Sequence, residues 1–115
     1  MHRIIAVLLT FMVTHVSAEE VYYCQGLEFA GWSVSEQALT QYSPENFKFS
    51  IQQNQVHFGS GGVLDNEKME ITFHSSDLLT ASNDIGHQAM EKGNFNYSMV
   101  GYSDIFLIAA KCDKV

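Results

Sequence analysis

The chain has 115 residues, with thirteen carboxylates against six basic side chains and a formal net charge of −7, a length that suits one domain around a single core. A surface this acidic repels nucleic acid and anionic lipid; it serves solubility first and, where it meets a macromolecule, suits a basic protein partner. The apolar residues come in short runs that never approach the roughly 20 positions a membrane helix needs, so no membrane insertion is expected.

The chain opens like a secretory signal peptide over residues 1–18. Met1-His2-Arg3 is a short basic start, residues 4–13 are apolar except for Thr10, and Val16-Ser17-Ala18 ends in small residues. Cleavage after Ala18 leaves a single β domain over residues 19–115 and removes Arg3, the only arginine. Five lysines then face thirteen carboxylates, a charge of −8. Tyr22-Tyr23 precede Cys24 with no small-residue pattern, which argues against a lipid anchor. The expected location is therefore exported, periplasmic or extracellular. Export delivers Cys24 and Cys112 to an oxidising compartment, where a disulfide between them is the natural expectation.

In chain order, residues 21–29 are rich in β-formers, with Gly26 a candidate bulge where the alternation slips. Ser33 and Glu36 have capping-box spacing, and residues 34–42 tolerate a short helix, which must stop by Ser43 because Pro44 disfavours helical geometry in the residue before it. Next comes the clearest signal in the chain. Phe47, Phe49 and Ile51 alternate with polar residues, Gln53-Asn54 breaks the run, and Val56 and Phe58 alternate again, which spells a β-hairpin. The glycines of residues 59–62 and Asp65-Asn66 punctuate the chain before Met69, Ile71 and Phe73 mark another strand. A strand over 78–82 is weakly signalled, and Ala89, Met90 and Glu91 allow a helical turn within 84–92. After Gly93-Asn94, Phe95, Tyr97 and Met99 alternate. The last strand is apolar on both parities over 105–110, as expected of a central strand or one covered on both faces.

These elements predict an all-β, mainly antiparallel fold: a small meander barrel or sandwich of six to seven strands with one or two short helices, closed by a Cys24–Cys112 bridge that joins the first strand to the last. One core is expected from Phe47, Phe49, Ile51, Val56, Phe58, Met69, Ile71, Phe73, Phe95, Tyr97 and Met99. The layout resembles that of the small periplasmic β-barrels that inhibit C-type lysozymes, which share a Y-x-C start, here Tyr22-Tyr23-Cys24, and a late cysteine, here Cys112. That resemblance implies a barrel with an inhibitor-like role. It covers the ends of the chain and departs from the family's S-G-x-x-Y stretch, since Ser60-Gly61 is followed by Leu64 at the tyrosine position.

No motif fixes a reaction. The glycines of 59–62 lack the lysine and following helix of a phosphate loop and read as a turn. His57 and His74 are the candidate metal ligands, but no third ligand at fixed spacing joins them, so no metal or other cofactor is expected. Asp84, His87 and Glu91 would share one face if their segment were helical. His74-Ser75-Ser76-Asp77 holds nucleophile, base and acid in adjacent positions, whereas a catalytic triad is assembled across a fold, so the run reads as a strand end and turn. Asn96-Tyr97-Ser98 fits the N-glycosylation acceptor pattern. A non-enzymatic protein-interaction module, with an exposed patch around Trp32 and Tyr42, is the leading function class. A barrel that carries a small apolar ligand is the alternative.

Overall fold

The structure is a computed structural model that describes residues 20–115; the expected signal peptide and its cleavage junction lie outside those residues. Nine strands follow in order: β1 (Glu20–Ser33), β2 (Ala38–Tyr42), β3 (Phe47–Gln52), β4 (Gln55–Phe58), β5 (Lys68–His74), β6 (Leu78–Ser82), β7 (Gly86–Glu91), β8 (Asn94–Val100) and β9 (Asp104–Lys114). Every pairing is antiparallel. Strands β1 and β3 to β9 neighbour one another in sequence order until β9 returns to β1, closing an eight-stranded barrel that excludes the sandwich. The strands exceed the expected six to seven, and no helix forms among the described residues.

The shared strand β1 explains the architecture. One of its edges carries β9 from Tyr22↔Lys114 to Ser33↔Asp104. The other carries β3 over its first half, with Cys24↔Phe47, and β2 over its second half, with Phe29↔Tyr42. Where the partner changes, the register with β9 shifts between Gly26 and Glu28, which is the bulge that the slipping alternation suggested. Gly26 also allows the 43–46 connection to cross, since a Cβ there would collide with the carbonyl oxygen of Glu45. Cys24 and Cys112 are direct cross-strand partners with Cα atoms 4.0 Å apart, and their disulfide fastens β1 to β9. Such a bond fits an oxidising compartment.

The central hairpin forms as the alternation dictates. Gln53 and Asn54 both adopt positive φ, 51° and 66°, the geometry of a two-residue turn whose twist matches the flanking strands. Its inner residues meet a phenyl cluster: Phe49 lies 5.7 Å from Phe58 and 6.0 Å from Phe95, and Phe47 lies 5.2 Å from Phe95, centroid to centroid. Val56, Met69, Leu79, Tyr97, Ile108 and Ala110 are buried with them. A barrel of eight strands has room inside for little more than its own side chains, and here those side chains occupy it.

Three expectations fail, each for a physical reason. Residues 34–42 form no helix: 34–37 make a turn in which Gln37 takes φ 52°, and Ala38–Tyr42 pairs with β1 as β2. A helix of that length is marginal alone, whereas β1 runs past the barrel wall and offers a ready edge. Residues 84–92 contain strand β7, not a helical turn, with Gly86, Gln88 and Met90 inside. Phe73 is 53% exposed, because the β5–β6 register shifts between Ile71 and Phe73 and the extra residue turns every later side chain over. Of the other expected core residues, Phe47, Ile51, Ile71 and Met99 pack against the core while partly exposed. Leu64 was not expected inside, yet the glycine loop carries it into the core, where it is 4% exposed.

Candidate functional site

The outer face of the barrel is polar along β4 and the first part of β5, where Gln55, His57, Lys68 and Glu70 stand, but apolar near the end of the barrel where β2 extends β1. Cross-strand partners share a face, so the register defines a single row of side chains. Leu39 on β2 opposes Trp32 on β1, Trp32 opposes Ile105 on β9, and Ile105 opposes Val100 on β8. All four are exposed, from 40% for Trp32 to 64% for Leu39. Ile85 lies next in line, its carbonyl accepting from the Val100 amide. One step along the strands, Ala30 opposes Leu107, which is also exposed. Together these side chains form a continuous apolar flank on four strands.

The inner side of the same ribbon forms a second feature. Gly31, Thr40, Tyr42, Leu64, Met99 and Phe106 line a cavity of about 430 Å³ at the barrel mouth, beneath β2. The Tyr42 ring lies 5.8 Å from that of Phe106. Trp32 and Tyr42, expected together in one patch, both border this cavity; by register Trp32 also belongs to the outer row, whereas Tyr42 lies on the inner face of β2 over the mouth. Leu39, Val100, Ile105 and Leu107 were not foreseen as surface residues. The both-parity apolar run over 105–110 held the clue, since β9 is paired on both edges yet uncovered on its outer face.

The remaining candidates disperse. His57 opposes Lys68 at the start of β5, while His74 lies at that strand's far end, six residues or about 20 Å away. No cluster of three His, Cys, Asp or Glu side chains among the described residues is placed to hold a metal ion. Asp84 precedes β7, where His87 and Glu91 point outward, so the proposed helical face does not exist. Ser75 Oγ accepts from the amides of Asp77 and Leu78, which makes His74-Ser75-Ser76-Asp77 a strand end and turn. In the glycine loop, the Gly61 amide donates to Asp65 Oδ1 and the Gly59 amide to the Lys48 carbonyl, so both are engaged internally. Asn96 is exposed on β8.

Two phenols carry a pH signature. Burial first and Glu67 second push the Tyr97 hydroxyl above the ordinary tyrosine range; burial and then Glu20 do the same for Tyr22. Both folded values stand above the unfolded value of 10.0, so the native state keeps protons that the unfolded chain releases. Their contribution is complete below that pH and is lost as pH rises through the folded values. Urea melts should show a falling midpoint above about pH 10 and a shallower fall in Tyr97→Phe. An identical alkaline slope in the variant would remove Tyr97 from this account.

Comparison of the chain with known protein families, with curated proteins and with solved structures gave no match.

Proposed function

We propose that this protein is a small exported, non-enzymatic β-barrel of the protein-interaction kind, inhibitor-like in that it acts by occupying a partner's surface, and that it works in the periplasm or outside the cell. The observation that carries the reading is the outer row Leu39, Trp32, Ile105 and Val100, a contiguous apolar flank on a barrel whose core is complete without it. Exposed apolar patches rimmed by polar residues mark interaction sites, and a tryptophan among aliphatic neighbours is a common energetic anchor. The acidic chain suits a basic protein rather than nucleic acid. The barrel has an apolar interior and, along β4 and the first part of β5, a polar outer wall, the reverse of a lipid-facing barrel, which supports a fold that stands in water. A carrier needs a hollow interior, and here phenyl rings fill it.

Immobilised protein, challenged with extract from the compartment to which it is exported, provides the test. A partner held by the wild type should be lost by about tenfold or more in Val100→Lys and Leu107→Lys, with melting temperatures nearly unchanged because both side chains already stand in solvent. Equal retention by both variants would show that this flank is not the binding surface.

A further inference from the structure

Resting on that interaction reading, we infer that the partner docks as an added β-strand, an extended basic segment that pairs with the free edge of β2 and lays part of its side chains onto the outer apolar row. Among the described residues β2 pairs with β1 alone, and no backbone hydrogen bond reaches its other edge. Unpaired edges of this kind are templates for another chain, and proteins that avoid such pairing blunt them with charge, proline, bulges or a covering loop. Strand β2 has none of the first three: Ala38-Leu39-Thr40-Gln41-Tyr42 is uncharged and proline-free, and its register with β1 runs without a shift.

The edge is continuous with both features of the site. A strand added beside β2 would set alternate side chains next to Leu39 and Gln41 on the outer face, extending the row that leads to Trp32 and Ile105. The intervening side chains would fall next to Thr40 and Tyr42, above the barrel mouth. Strand addition thus explains why the apolar row begins on the one strand outside the ring.

Charge selects the occupant. Between positions 28 and 47 the chain carries Glu28, Glu36 and Glu45 and no lysine or arginine, so β2, its turn, its exit and the half of β1 that supports it form a uniformly acidic ribbon. A second copy paired through β2 would bring two such ribbons together and suffer their repulsion. A basic strand would meet complementary charge while its backbone satisfies the edge.

The test uses capped heptapeptides that alternate lysine with valine or glutamate with valine, added to the intact exported protein. The lysine peptide should slow hydrogen exchange at the edge amides of 38–42, and the glutamate peptide should bind about tenfold more weakly or worse. Methylating alternate backbone nitrogens of the lysine peptide should abolish binding, because strand pairing needs those donors and side-chain docking does not. The inference falls if the lysine peptide does not bind at millimolar concentration, binds without protecting 38–42, or binds equally when methylated. It falls likewise if β2 is already protected in a dimer of this chain. Strand addition can fail in these ways while Val100→Lys and Leu107→Lys still release the native partner, which would leave the broader interaction reading standing.

Discussion

Phe49→Ala should lower the free energy of unfolding by about 3–5 kcal/mol, measured by denaturant melts at neutral pH. The Phe49 side chain is 1% exposed and is gripped on several sides: Tyr22 stacks on it at 5.0 Å, and the rings of Phe58 and Phe95 stand 5.7 and 6.0 Å away. Truncation removes a large apolar transfer term and leaves a void that rigid neighbouring strands cannot close. A domain of this size holds about 5–15 kcal/mol in total, so this one change should consume a large share of it. A loss below about 1 kcal/mol would place Phe49 outside the core and overturn the inner face assigned to the hairpin.

Opening the Cys24–Cys112 bond should cost nearly as much. The bond closes a loop across 88 positions, for which the chain-entropy account gives about 4.6 kcal/mol. Its loss should also be felt unevenly. With reductant present, amides of residues 22–27 and 108–111 should lose hydrogen-exchange protection before those of 47–58, because the bond anchors the start of β1 to the end of β9 while the central hairpin rests on the phenyl cluster. Earlier exchange in the hairpin, or alkylation of two free thiols in the native protein, would contradict this picture.

The parts of the fold that could be read from the residues are those where burial and polarity coincide. Phe47, Phe49 and Ile51 point in and Lys48 points out, so period two is visible; Cys24 and Cys112 needed no geometry beyond the expectation of an oxidising compartment. Strand β7 was illegible because its inward set is Gly86, Gln88 and Met90 while Ala89 faces water, so polarity does not follow orientation. The Gln88 amide is buried without a hydrogen-bond partner among the described residues, a choice no hydropathy rule would make. Phe73 was misread because an inserted residue leaves no mark in an alternating pattern. The site was half visible: Trp32 was singled out, but the row that includes it depends on register across β2, β1, β9 and β8, and register between distant strands cannot be counted along one chain.

Strand β1 is the first piece of the domain to be made, and its longest ladder is with β9, the last. A growing chain cannot complete the ring until residues 104–114 have appeared, so folding is an event of the whole chain and not of its parts. Contacts between sequence ends are the slowest to form, since the entropy of bringing them together is spent before any reward arrives. The delay belongs to the topology itself: the fold withholds itself until β9 is delivered.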